Sequence, residues 1–171
     1  MTDDRSNIQV ILMDKDIATL KSFAEYAFDS LERTCQDLTE KETEWKPSEE
    51  SNNIRWILNH ISRITNVALP RIMTGDQEYA PEGWPKDYKE QTHSTEKLMN
   101  DLKVGRTAVI EGLSSLKSED LAVEIPLWGG TRQRQFALNA YLGEIVNHKG
   151  QIAMLRGNVK RRREKDEHFL I

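Results

Sequence analysis

Apolar residues recur at three- and four-residue spacing in four separate stretches of this chain, and in none does strict alternation persist long enough to specify a sheet. A face built at that period is buried most simply against other helices, so the fold class expected is all-α. In the first stretch Met13, Ile17, Leu20, Ala24, Ala27, Leu31, Cys35 and Leu38 share one face, which predicts a helix over roughly residues 14 to 38. The second carries Ile54, Ile57, Leu58, Ile61, Ile64 and Ala68, with Ser51-Asn52-Asn53 as capping material and Pro70 as a predicted kink. In the third, Thr95, Leu98, Leu102, Gly105, Val109, Leu113 and Leu116 form a stripe entered through Ser94 and weakened by Gly105 and Gly112. The fourth is expected from about Gln133 to Arg156, with Leu138, Tyr141, Leu142, Ile145, Ile152 and Leu155 inward and Gly157-Asn158 as its stop.

The connections bear on topology. Pro70 to Gln91, punctuated by Gly75, Pro81, Gly83 and Pro85, supplies roughly 20 residues between the second and third helices, well beyond the usual bundle link. A link of that length can cross the bundle, so the arrangement expected is a four-helix bundle running up-down-down-up. Ile125-Pro-Leu-Trp-Gly-Gly130 leads into the fourth helix as a loop closing one end.

A chain of 171 residues, 37% hydrophobic and 30% charged, is the size of one domain with one continuous core. Residues 1–171 are read as that domain, with the core over about 14–157 and a polar tail over 158–171. Its 24 Lys and Arg against 28 Asp and Glu give a net charge of −4, which argues against a general nucleic-acid or anionic-membrane binder. The lone Cys35 excludes an internal disulfide and any multi-cysteine zinc cluster, and suits a reducing cytoplasm. The run Ile8 to Met13 is too short and too interrupted for a signal segment or a span, so a cytoplasmic protein is expected.

Three residues stand out as candidate metal ligands. His148 falls at an angle close to Tyr141, Ile152 and Leu155, which points it into the bundle, and Glu144 lies one turn earlier, where both side chains overhang one spot. His60 occupies the shoulder of the second helix's apolar face, between Ile57 and Ile64. Two imidazoles and a carboxylate with open positions accept zinc, nickel or iron(II), and a cation would relieve a carboxylate placed on a core shoulder. Each residue taken singly has a plainer reading. A lone histidine beside an apolar stripe is more often a satisfied core residue, and Glu144 can face water or pair loosely with Lys149.

The segment Leu38-Thr-Glu-Lys-Glu-Thr-Glu-Trp-Lys-Pro-Ser48, followed by Ile54-Arg-Trp-Ile-Leu-Asn-His60, resembles the DinB-like superfamily's stretch leading to a ligand histidine. Asn147-His-Lys-Gly-Gln-Ile152 is similar to the family's histidine, basic residue, Gly-Gln signature. The resemblance runs from the first helix to about Gly157 and implies a four-helix bundle holding a divalent metal, usually on three histidines. His60 and His148 match residue by residue, while Glu144 matches in position only, which leaves two alternatives: a site of two histidines and one carboxylate, the favoured one, and a weakened site that has lost its metal. Some members are metal-assisted transferases using low-molecular-weight thiols. The resemblance therefore implies an S-transferase or hydrolase acting on a small molecule. Trp56, Arg63, Tyr141 and Trp128 are candidates to line the approach, each with packing or a surface position as its plainer reading. The competing expectation is a non-catalytic bundle, a stress-response or adaptor protein acting through dimerisation.

Other residues read as structural. Cys35 is expected to be an inert core thiol, and His93 and His168 to lie on the surface. Lys160-Arg-Arg-Arg163 is followed at once by Glu164, Asp166 and Glu167 and reads as a solvated helix end. The apolar Phe169-Leu-Ile171 is expected to fold back or to enter a homodimer contact.

Overall fold

The computed structural model describes residues 15–169; the expectations for Met13, the run Ile8 to Met13, Leu170 and Ile171 fall outside the described residues. The fold is mostly helical, with one small two-stranded sheet. Helix α1 spans Lys15–Thr34. Its stripe is buried as expected, joined by Phe28, but the helix ends four residues early and Cys35 lies buried in the turn that follows. A short helix absent from the sequence reading, α2 at Glu40–Glu44, is nucleated by a capping box. Thr39 accepts from the Glu42 backbone while the Glu42 carboxylate reaches back to the Thr39 N–H.

The second apolar stretch forms α3 at Ile54–Arg63, capped by the Asn53 side chain on the Trp56 N–H at 2.8 Å. The break expected at Pro70 takes the form of a π turn over Ile64–Ala68, after which helix α4 carries the path over Leu69–Thr74 to Gly75 in the left-handed region. Pro70 has no N–H to donate, and the widened turn just before it closes through Leu69 N–H to the Ile64 carbonyl. Helix α5 spans Thr95–Ser115 behind Ser94, whose hydroxyl accepts from Lys97 N–H at 3.2 Å.

Three features of the C-terminal half differ from expectation. Ile125 to Gly130 is not an open loop: strands β1 at Glu124–Leu127 and β2 at Gly130–Gln133 pair antiparallel, with Leu127 opposite Gly130. Trp128 and Gly129 turn the hairpin with φ of 51° and 76°, the doubly positive geometry that matches strand twist. Only Ile125 of the pair is buried, which is why no alternating pattern announces it. The last helix, α6, runs over Arg134–Arg163 and passes straight through Gly157. Tertiary contacts override the stop signal: Val159 is fully buried, and Arg156 Nη1 donates to the Thr34 and Gln36 carbonyls at 2.6 and 2.8 Å, serving groups left open at the end of α1. Residues 158–163 of the expected polar tail are therefore helix. Arg163 reaches the buried Glu42 carboxylate at 3.8 Å, while Lys160, Arg161 and Arg162 stay exposed. Phe169 does fold back, edge-on to Trp45 at 6.1 Å.

The core is continuous. Helix α1 packs on α5 and α6, and α3 packs on α5 and α6, so Leu20, Phe28 and Leu31 meet Leu98, Leu113, Leu138 and Ile145 across one interior. Each such side chain taken from water contributes about 1.5–3 kcal/mol. Thr65 faces Gly105 and Met73 faces Gly112, so the α3–α4 path and α5 run in the same sense. His60 sits beside Glu144, and Arg134 Nε donates to the Ile72 carbonyl at 2.9 Å, so that path and α6 run in opposite senses. Among the described residues no helix is long and apolar enough to cross a membrane.

Candidate metal centre

The antiparallel approach of α3 to α6 decides which polar side chains meet. His60, in the last turn of α3, and Glu144 and His148, one turn apart on α6, each offer a ligand atom, and the three atoms lie within 4.8 Å of one another. Glu144 Oε2 is the hub, 3.3 Å from His60 Nε2 and 3.9 Å from His148 Nε2. The two rings stand nearly perpendicular, centroids 4.9 Å apart. Two donors each about 2.1 Å from a tetrahedral ion lie about 3.4 Å from each other, so the two separations from Glu144 Oε2 come within about half an ångström of that spacing, and the nitrogen and oxygen donor set suits a divalent ion once the two imidazoles draw together.

Burial is graded across the trio, with 12% of the His148 side chain exposed, 27% of His60 and 40% of Glu144. The expectation that an isolated buried carboxylate would demand a cation is therefore corrected. Glu144 is partly solvated and already paired with the imidazoles, so the case for the site rests on convergence and donor chemistry rather than on buried charge. Nor does Glu144 turn to Lys149; it turns to the two imidazoles.

The partners of the outer ring nitrogens set the tautomers. His148 Nδ1 lies 3.1 Å from Gln151 Oε1, an acceptor that keeps the ring proton on Nδ1 as a hydrogen-bond donor and leaves Nε2 a lone pair towards Glu144. That gives the glutamine of the His-Lys-Gly-Gln segment a physical task, three residues on along the same helix face. His60 is arranged the other way. Its Nδ1 lies 3.3 Å from Arg63 Nη2, which can only donate, so Nδ1 accepts and Nε2–H donates to Glu144. Were His60 Nε2 to hold an ion, the ring proton would sit on Nδ1, the nitrogen that Arg63 now serves. Burial holds the His60 pKa below the usual histidine range, with the Glu144 hydrogen bond opposing it. Its neutral form is the one a metal needs.

Of the residues expected along the approach, Trp56 stacks on the His60 ring at 5.6 Å, and Arg63 and Tyr141 line a cavity of about 770 Å³ that opens beside His60. Trp128, at the hairpin tip, is 60% exposed and stands 6.0 Å from Tyr141, outside the cavity wall. Glu144 and His148 do not border that cavity either; His60 is the shared residue.

Sequence reading missed a second buried polar group, which anchors the long crossing segment. Tyr88 is 1% exposed, donates its hydroxyl to Asp101 Oδ2 at 2.6 Å, stacks on Trp84 at 4.2 Å and lies tilted against His93 at 4.1 Å. Its carbonyl accepts from Asn59 Nδ2 and His93 Nε2, each at 3.1 Å. His93 is accordingly buried rather than on the surface, because the segment folds over it. His168 is exposed as expected.

Cys35 takes no part in the site. Burial pushes its thiol up to about 12, the nearby Arg156 only partly opposing, so almost no thiolate forms at neutral pH. Labelling by Ellman's reagent at mildly alkaline pH is expected to be at least about a hundredfold slower in the native protein than in denaturant. Comparable rates in the two states would mean that the thiol is not enclosed.

The conserved protein of locus from Enterococcus faecalis, a solved crystal structure, superposes with a TM-score of 0.63 at 18% identity, covering 81% of this chain and 94% of that one. That likeness extends to the fold alone. No curated protein matches the chain. The sequence pattern of the DinB superfamily matches residues 24–152, which take in most of α1, all of α3 and α5, and the part of α6 carrying Glu144, His148 and Gln151. By that match the chain belongs to the DinB superfamily.

Proposed function

We propose that this chain is a divalent-metal-dependent enzyme of the DinB type, an S-transferase or hydrolase acting on a small molecule, with a low-molecular-weight thiol as the reacting partner. In this reading the long helices form an up-down-down-up four-helix bundle, and His60 Nε2, His148 Nε2 and Glu144 Oε2 hold zinc, nickel or iron(II). The observation that carries it is the convergence of three donor atoms, from two helices far apart in sequence, within 4.8 Å of one another. When bound, such an ion lowers the pKa of a thiol or water and presents a nucleophile at neutral pH. The chain's own groups supply the rest. Gln151 holds the His148 ring in the tautomer a ligand needs, and Trp56 covers one face of the His60 ring. The partial exposure of Glu144 leaves a path for substrate.

Elemental analysis of protein purified without an affinity tag tests the assignment. About one equivalent of a single divalent metal is expected in the wild type, with His60→Ala, His148→Ala and Glu144→Gln each reduced to trace. Gln151→Ala is expected to keep the fold and weaken metal affinity about 10–100-fold. Trace metal in the wild type after reconstitution with zinc, nickel and iron(II), or unchanged content in both histidine variants, overturns the reading.

A further inference from the structure

The cavity beside His60 is a groove along the α3–α4 path, floored by Ile64, Val67, Ala68 and Ile72 and closed on the other side by the crossing segment and by Pro126 and Leu127 of the hairpin. Its charged lining is unbalanced: Arg63, Arg71, Lys86 and Lys89 against Glu78 and Glu90, four positive against two negative.

The two arginines differ from the others in one respect. Among the described arginines that are not exposed, Arg55, Arg106, Arg134, Arg156 and Arg163 each meet a carboxylate. Arg63 and Arg71 meet none among the described residues. Arg71 spends only Nε, on the Tyr79 carbonyl at 2.8 Å, and Arg63 spends Nε on Asn59 Oδ1 at 3.2 Å and Nη2 on His60. Half-buried guanidinium groups with uncommitted Nη donors facing a cavity are suited to a planar anion.

The π turn explains why both face the same way. In a regular α-helix residues eight apart point about 80° from each other. The π turn inserts one residue into the register, so Arg71 stands where the seventh residue of a regular helix would, within about 20° of Arg63. The irregularity thus builds one continuous wall running from Arg71 through Ala68, Val67 and Ile64 to His60.

We propose that this groove binds a small organic carboxylate, its charged end held by Arg71, its apolar body along Ala68, Val67 and Ile64, and its far end presented at His60 beside Arg63. The inference rests on the metal reading for what happens at the His60 end, and on the groove alone for the anionic end.

Calorimetric titration with octanoate and with its neutral analogue octanamide, on chelator-treated and on zinc-supplemented protein, tests it. Octanoate is expected to bind saturably and at least about tenfold more tightly than octanamide. Arg71→Gln, which keeps a donor within reach of the Tyr79 carbonyl, is expected to erase that preference while leaving metal content unchanged. Arg71→Lys, which keeps the charge without the fork, is expected to retain part of it, and carries the test should the glutamine variant fail to fold. Equal binding of the two probes, no binding of octanoate, or an undiminished preference in the Arg71 variants overturns the proposal, even if metal is stoichiometric. An arginine-dependent preference in protein that takes up no metal leaves this inference standing and removes the metal reading instead.

Discussion

Gly105→Ala is expected to cost about 3 kcal/mol and to lower Tm by about 6–12 °C, an unusual result for a substitution that normally strengthens a helix. A β-carbon at position 105 lies 2.6 Å from Thr65 Cβ and 2.8 Å from Asn66 Nδ2. The nearest obstacle is the Thr65 hydroxyl, and turning it aside leaves the Thr65 β-carbon, fixed to the backbone, still 2.6 Å away, so relief requires the helix to move away from the π turn. Such a shift also strains the hydrogen bond from Asn66 Nδ2 to the Asp101 carbonyl at 2.9 Å, which ties the two elements together. Gly143 on α6 is the control, since nothing lies within 4 Å of a β-carbon there; Gly143→Ala is expected to be neutral or to stabilise by up to about 1 kcal/mol. Thermal melts of the two variants settle the point. Equal melts would mean that the approach of α5 to the π turn is loose.

That glycine shows where sequence reading succeeds and where it stops. The stripe Thr95, Leu98, Leu102, Gly105, Val109 and Leu113 correctly places α5, because burial of a helical face writes its period into the residues. Read singly, Gly105 looks like a defect in the helix. Only the partner element, which the period of α5 does not contain, shows that the missing side chain makes room for Thr65. Gly157 fails in the opposite direction. Its local meaning is a stop, and it is overruled by Val159 and by the contacts of Arg156 and Arg163, made with residues more than a hundred positions earlier.

The trio was legible for a related reason. Glu144 and His148 share a face by arithmetic, and His60 sits on a shoulder of its own stripe, so their meeting needs only that α3 and α6 pack antiparallel at the right height. Gln151 lies within the His-Lys-Gly-Gln segment, yet its role depends on the ring rotamer of His148, which periodicity does not encode. The His60 tautomer is equally invisible in sequence, since it is set by Arg63 donating to Nδ1, the nitrogen that would carry the proton were a metal held at Nε2. A metal held at His60 Nε2 would therefore be linked to the position of Arg63, which also belongs to the wall of the groove.

The largest effect on the groove is expected at Tyr88, a residue that the sequence gives no periodic reason to notice. Tyr88→Ala is expected to destabilise the protein by about 4 kcal/mol, a fall in Tm of about 8–16 °C, and to loosen the wall that the crossing segment contributes. The phenol stands between Trp84 and His93, and its hydroxyl bonds the Asp101 carboxylate, which Lys97 also holds at 2.8 Å. Burial, reinforced by that carboxylate, drives the phenol pKa above its ordinary value, so the neutral hydroxyl remains the donor throughout the physiological range. Removing the ring opens a cavity and leaves a carboxylate, in a residue only 9% exposed, with one partner fewer. Tyr88→Phe separates the two contributions: packing is retained, Lys97 still serves Asp101, and the cost is expected to fall to about 1–2 kcal/mol. Hydrogen exchange reads the consequence for the site. Amides of residues 84–93 are expected to lose protection in the alanine variant while those of α6 near Glu144 and His148 keep it, because the trio is anchored by α3 and α6 rather than by the crossing segment. If protection of the segment is unchanged in Tyr88→Ala, the segment is held by something other than this ring, and the groove has a different keystone.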